Sequence, residues 1–191
     1  MKIMKIPQRA NLFVLAAIIM TAPARGVVTA TPLATLGSAL QPNIGVNGYY
    51  SMDRAQCGRT LQAAVVLDIP GGYHVNSNRP IGKYLVPTSL KIDGPGGVRI
   101  GGVRYPVARL RRFGFSDQKL SVFERRAVMR FSVTVPANYG QGKMELKARV
   151  RYQSCSDKEC YAPATRDISL WIDVVNANES AKRANGNIFG R

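Results

Sequence analysis

The chain has 191 residues, 46% of them hydrophobic, with three cysteines, one histidine and a formal net charge of +16. That length suits one domain with a sizeable core. A charge this high keeps a protein soluble and draws it to anionic surfaces, but does not by itself indicate nucleic acid. Arg104, Arg109, Arg111, Arg112, Arg125, Arg126 and Arg130 are interleaved with apolar positions, the pattern of a solvated sheet face, so no nucleic-acid partner is expected.

The chain opens with Lys2, Lys5 and Arg9 and no acid, continues with an apolar run over residues 12–20, and then reads Ala22-Pro23-Ala24. A basic start, a short apolar centre and small residues before a cleavage point make residues 1–24 a secretory signal peptide. The run is about half the roughly 20 residues that cross a bilayer, and nothing later in the chain is a candidate span. No cysteine lies just after the cleavage zone, so no lipid anchor is expected. Removal leaves about 167 residues and a charge of +13, since three basic residues leave with the signal. The expected location is periplasmic or secreted, which also separates the chain from cytosolic nucleic acid.

Residues 25–46 are rich in Ala, Thr, Pro and Gly with weak periodicity and are expected to form a linker or loosely docked arm. The domain proper is expected over 47–175. Residues 176–191 are polar and rich in Asn and Ala, the composition of a frayed tail.

Within the domain, short β-like runs follow one another. Residues 61–69 are rich in Val and Leu and stop at Pro70-Gly71-Gly72. Residues 85–92 end at Asp93-Gly94-Pro95-Gly96-Gly97, and 98–105 are short and broken by glycine. Residues 126–135 alternate, with Ala127, Met129, Phe131, Val133 and Val135 on one side. Residues 144–152 alternate too, setting Met144, Leu146, Ala148, Val150 and Tyr152 against Glu145, Lys147, Arg149 and Arg151. Residues 168–175 turn Ile168, Leu170, Ile172 and Val174 the same way. A period of two marks half-buried strands. About seven such strands with Gly/Pro punctuation predict an all-β, immunoglobulin-like antiparallel β-sandwich. The antibody version is excluded, because it needs a tryptophan between two paired cysteines and Trp171 follows all three. Burial, rather than a cross-sheet staple, must hold the sandwich.

In an exported chain disulfides persist, and three cysteines give one pair and a leftover, or an intermolecular bond. Cys155 and Cys160 are close enough in sequence to pair, while Cys57 is far from both and reads best as a small buried thiol. Cys155-Ser156-Asp157-Lys158-Glu159-Cys160 lies between two alternating strands, at the turn of a hairpin. Closing so short a loop stabilises by only about 2 kcal/mol, and disulfides exposed in turns are the exchange-competent ones. A structural clip and a redox pair both remain open at this point.

The flanking residues Tyr152-Gln153-Ser154-Cys155 and Cys160-Tyr161-Ala162-Pro163 closely resemble the signature of the N-terminal periplasmic domain of the thiol:disulfide interchange protein DsbD. The stretch Pro70-Gly71-Gly72-Tyr73-His74-Val75-Asn76-Ser77-Asn78-Arg79-Pro80 is similar to another of that family's segments, so the resemblance covers about 61–175. It implies a domain that passes reducing equivalents between a thioredoxin-like or membrane redox protein on a separate chain and extracytoplasmic proteins. This is an activity of the protein-disulfide reductase type, with no cofactor. The family's second cysteine forms the mixed disulfide with partners, which maps to Cys160, and the first resolves it, which maps to Cys155. Its cap loop with an aromatic ring corresponds to Phe113-Gly114-Phe115-Ser116-Asp117, making Phe113 and Phe115 the candidates. Two departures stand out: the cysteine loop has four residues where some members have five, and no transmembrane electron carrier or thioredoxin-like domain is expected after the module. The cap sequence is also not the best-known one. The alternative is a non-redox immunoglobulin-like binding module whose basic face meets an anionic partner.

His74 is expected to fix its turn through a hydrogen bond beside Asn76 and Asn78; no metal cluster is evident around it. The glycines at 94, 96, 97, 101 and 102 are turn residues, because no phosphate-loop Lys-Ser/Thr follows them. Export predicts that the mature chain begins near Arg25. Mass spectrometry of the extracytoplasmic protein checks this, and an uncleaved N-terminus would contradict it.

Overall fold

The structure is a computed structural model and describes residues 41–190. The expected signal peptide and residues 25–40 of the expected arm lie outside the described residues. Of the arm's remainder, Pro42 and Ile44 are buried, so the folded body begins before residue 47.

Twelve strands follow in order: β1 (Gly45–Tyr50), β2 (Arg54–Gln56), β3 (Thr60–Asp68), β4 (His74–Asn76), β5 (Ser89–Asp93) and β6 (Arg99–Ile100). Then come β7 (Arg109–Arg111), β8 (Leu120–Glu124), β9 (Arg126–Thr134), β10 (Gly142–Tyr152), β11 (Ser154–Cys155) and β12 (Ala164–Val175), closed by the short helix α1 (Gly186–Phe189). One sheet has the order β1-β3-β9-β6 and the second β2-β12-β10-β5, and together they form the sandwich. The ladders are antiparallel except where β2 runs parallel to β12. A third, smaller sheet with the order β11-β4-β8-β7 was not foreseen, and it carries the cysteine turn.

The alternation read from the sequence is the alternation of burial. Ala127, Met129, Phe131 and Val133 of β9 meet Met144, Leu146, Val150 and Tyr152 of β10 and Leu170, Ile172 and Val174 of β12 in one core. Trp171, on the outer side of β12, is 56% exposed and takes no part in it. The seven arginines singled out above are all exposed, as a solvated face requires.

Two expected strands are shorter than read. Residues 85–92 begin to pair only at Ser89, since Pro87 has no N–H to give and the Val86 N–H bonds the Gln153 side chain at 3.0 Å. The 98–105 run keeps only β6 and an isolated bridge of Arg104 to Arg130. At Gly101 a Cβ would lie 2.2 Å from Ser132 Oγ, so a side chain there would make that hydroxyl turn away.

The tail corrects the expectation most clearly, since residues 176–190 dock instead of fraying. Glu179 Oε1 accepts from the Asn176 N–H at 3.0 Å, the Lys182 N–H bonds Asp53, and Asn185 Nδ2 donates to the Tyr50 carbonyl at 2.8 Å. The Arg130 guanidinium donates to the carbonyl of Ile188. The cause lies in β3, where Ala63, Ala64, Val65, Val66 and Leu67 are all buried, so both faces of the strand need cover. The core takes one face; Ile188, 2% exposed, lies on Ala64 and Val66 of the other. Ile188→Ala should therefore cost about 2 kcal/mol in denaturant unfolding, whereas a frayed tail would give a change within about 0.5 kcal/mol.

Candidate functional site

β10 and β12 stay in register from Gly142↔Val174 to Tyr152↔Ala164, and the cysteine segment is the tip of that long hairpin. Beyond Tyr152 the chain leaves the ladder, and Ser154 and Cys155 pair with Val75 and His74 of β4. Gln153 makes the transfer. Its carbonyl accepts from the Asn76 N–H at 3.1 Å, and its side-chain Oε1 accepts from Asn76 Nδ2 and the Val86 N–H, both at 3.0 Å. Its Nε2 donates to the Tyr161 carbonyl at 3.1 Å. One amide thus ties both flanks of the cysteine motif to the upstream His-x-Asn segment.

The Tyr161 N–H donates to the Ser154 carbonyl at 2.9 Å, and the Ser156 N–H to the Glu159 carbonyl at 2.8 Å. Cys155 and Cys160 therefore face each other as a non-hydrogen-bonded pair, the register in which antiparallel backbones come closest. Their Cα atoms are 3.9 Å apart and their sulfurs are bonded. Ser156 Oγ accepts from the Lys158 and Glu159 N–H groups, each at 3.2 Å, and closes the turn. Cys155 is wholly buried, while Cys160 is half-buried. Cys57 is a buried free thiol, whose Sγ donates to the Tyr139 carbonyl at 3.3 Å.

The upstream segment turns into β4 at Pro70–Tyr73, where the Tyr73 N–H bonds the Pro70 carbonyl at 3.2 Å and Gly72 sits at φ 79°. A left-handed third turn residue calls for glycine. The Tyr73 ring then meets Tyr161 at 6.2 Å. His74 lies in register between Cys155 of β11 and Glu124 of β8. It is 1% exposed, and its Nε2 has no hydrogen-bond partner, so the expected turn-fixing bond is not what holds it.

Phe113 stacks on the His74 imidazole at 3.9 Å between centroids and 13° between planes, with Phe115 6.4 Å from the same ring. At Gly114 a Cβ would come within 3.7 Å of the Asp157 carbonyl oxygen, so the aromatic loop rests against the cysteine turn. Behind it, Arg111 Nε lies 3.0 Å and Arg109 Nη1 3.9 Å from the Glu124 carboxylate. A cleft of about 300 Å³ opens between these groups, with His74 and Phe113 among its lining and Arg125 and Asp157 at its edge.

Of the residues picked from the sequence, the structure brings together Cys155, Cys160, Gln153, Tyr161, His74, Phe113 and Phe115. Tyr152 is buried in the core at the base of the hairpin, and burial raises its phenol pKa. Pro163 is exposed just before β12. Asn76, Ser156 and Glu124 were not singled out. A period of two from His74 was the available signal for Asn76, whereas Glu124 is joined to the site only by β8 pairing. Among the described residues there is no cluster of three or more His, Cys, Asp or Glu that could hold a metal.

The family profile described as "Thiol:disulfide interchange protein DsbD, N-terminal" matches residues 50–171. The chain belongs to that family. The match spans the cysteine hairpin, the upstream His-x-Asn segment and the aromatic loop together. Among solved structures, the chain is similar to the DsbD N-terminal domain of Neisseria meningitidis in its reduced form, at 16% identity and a TM-score of 0.43. That likeness covers 73% of this chain and 90% of the other. The N-terminal periplasmic domain of ScsB from Proteus mirabilis is similar at 13% identity and a TM-score of 0.45, over 71% of this chain and 47% of that one. No curated protein sequence matches the chain.

In this DsbD-type domain the buried imidazole has an electrostatic consequence. Burial holds the His74 pKa below its ordinary value of 6.5, with Asp157 and Glu124 opposing that shift. The unfolded chain therefore takes up the proton first as pH falls. Stability is full above about pH 6.5 and declines as pH drops from there towards the folded-state pKa. The melting temperature should fall between about pH 7 and pH 5.5, and His74→Phe should flatten part of that slope. An unchanged slope in the variant would show that the histidine does not contribute.

Proposed function

We propose that this protein is an exported thiol–disulfide exchange module that works through Cys155 and Cys160. Its partner would be a thioredoxin-like or membrane redox protein. The single observation that carries this reading is the state of the cysteine pair: bonded at a hairpin tip, with Cys155 buried and Cys160 half-buried. A clip serving stability alone gains little from a six-residue loop, about 2 kcal/mol, beside a core as extensive as this one.

The roles follow from exposure and from membership of the DsbD N-terminal family. In the reduced domain the Cys160 thiolate attacks a sulfur of the partner's disulfide, and the electron pair of that bond leaves on the partner's second sulfur. Cys155 then attacks Cys160 Sγ, re-forming the intramolecular bond and releasing the partner's first sulfur as a thiolate. Two electrons pass to the partner, and the sequence runs equally in reverse. Phe113 and Phe115 cover the site until docking, and the exposed arginines of β7 with Arg112 and Arg125 give the approach a positive rim suited to an acidic partner face. The expected signal peptide would put this exchange outside the cytoplasm, in the periplasm. Among the described residues no helix is long and apolar enough to cross a membrane.

Removing the resolving thiol should trap the intermediate. Cys155→Ala is expected to accumulate covalent adducts with a thioredoxin-like partner, and Cys160→Ala is not. Both should fold, given the loop closure of about 2 kcal/mol. The reduction potential of the pair should lie in the roughly −120 to −270 mV range of exchange proteins. A potential below about −300 mV, with neither variant trapping a partner, would make the chain a binding module with a structural clip.

A further inference from the structure

The redox reading leaves a buried imidazole without a task. His74 is 1% exposed, and its Nε2 has no hydrogen-bond partner. An unpaired buried nitrogen bears its full desolvation penalty, and in native interiors such groups call for an explanation. Its position offers one. His74 and Cys155 are direct partners across the β4–β11 ladder. Residues so paired point to the same face with Cβ atoms about 4.5–5.5 Å apart.

The other bases near Cys155 are less suited. Both oxygens of Glu124 are engaged by arginine, Oε1 by Arg111 and Oε2 by Arg109. Asp157 is exposed on the turn, and a solvated carboxylate is a much weaker base than imidazole. Cys155, by contrast, needs help to ionise, because it is wholly buried and apolar burial disfavours a thiolate. Phe113 stacks on the imidazole and covers one face of it.

We infer that His74 is the proton acceptor for the Cys155 thiol. The inference rests on the exchange function proposed above and assigns the proton that the exchange must move. In the mixed disulfide, the Cys155 Sγ–H proton passes to the imidazole and the resulting thiolate attacks Cys160 Sγ. The Cys155–Cys160 bond forms, and the bond from Cys160 to the partner breaks. The electron pair leaves on the partner's sulfur, which takes a proton from solvent, while the imidazolium returns its own proton to solvent. In the opposite direction Cys155 leaves as a thiolate and the imidazolium protonates it.

The imidazole must be neutral to act as the base. Closure should therefore speed up as pH rises through the His74 pKa and level off above it. Burial sets that point first and lowers it, with Asp157 from the cysteine turn and Glu124 from β8 opposing; Arg109, Arg111 and Arg125 also face the ring around the cleft.

The test follows ring closure of the reduced protein with oxidised glutathione. Acid quenching and mass spectrometry separate free thiols, the glutathione mixed disulfide and the closed pair, so closure is timed apart from loading. Wild-type closure should inflect below about pH 7, and His74→Phe should close roughly 100-fold more slowly at neutral pH. In the variant the mixed disulfide accumulates, and the rate climbs only at or above the ordinary thiol range near about pH 8.5. Equal closure rates and profiles in the two proteins would overturn the assignment. Should His74→Phe fail to fold, the one histidine of the chain can be titrated by NMR in the untagged wild-type protein. Its midpoint should differ between the oxidised and reduced states, and identical midpoints would overturn the assignment. If closure depends on His74 but the protein exchanges with no thioredoxin-like protein, the proton transfer stands and the proposed function falls.

Discussion

At Tyr152 the β10–β12 ladder comes to an end, and the amide of Gln153 takes over the work of holding the chain. Its side chain gives to the Tyr161 carbonyl and receives from Asn76 Nδ2 and the Val86 N–H, while its own carbonyl receives from the Asn76 N–H. A hairpin tip without these bonds would run on into solvent. With them, it bends onto β4, and the disulfide comes to lie in a third sheet set apart from the sandwich. The pairing of Cys155 with His74 and the contact of the aromatic loop with the turn both depend on that bend.

The division between sandwich and third sheet is also a division of physical roles. The sandwich is apolar and uniform, with long antiparallel ladders whose inner residues are fully buried. The third sheet is short-stranded and polar for its burial: His74, Asn76, Ser77, Ser121 and Ser154 are all buried there. Ser77 and Ser121 share a hydroxyl bond of 2.8 Å, and the Ser77 N–H reaches the Ser121 carbonyl. A small polar sheet fixed at its base by a rigid core suits a site in which bonds are made and broken, since polar networks specify geometry where apolar packing tolerates variation. Two buried atoms there, His74 Nε2 and Asn76 Oδ1, remain unpaired.

Charge is arranged around this sheet rather than within it. Arg109 and Arg111 bracket Glu124 on the β7 edge. These ion pairs are largely exposed on the arginine side, so their worth to stability is small. The arginines also guard the open edge of β7, because a charged edge strand resists pairing with another chain. Leu110, 58% exposed between them, is the apolar element left on that edge.

Much of the architecture was legible because a strand has a period of two and a sandwich core needs one apolar face from each strand. The alternation in 126–135 and 144–152 therefore maps directly onto β9 and β10. The unbroken run at 63–67 also held a legible signal, since five consecutive buried residues imply cover on both faces. The reading of a frayed tail passed over it, because Asn-rich composition says nothing about a single Ile188. For the site, the spacing and flanks of Cys155 and Cys160 were enough to pick out the pair and the family. The sequence by itself determined the strand pattern, the cysteine pair and the kind of domain, because periodicity and motif are local properties. Only the tertiary structure decided that His74 faces Cys155, that Phe113 is the ring stacked upon it and that Glu124 is held by β7. Those contacts join segments tens of residues apart, and backbone pairing between strands, not any local preference, selects them.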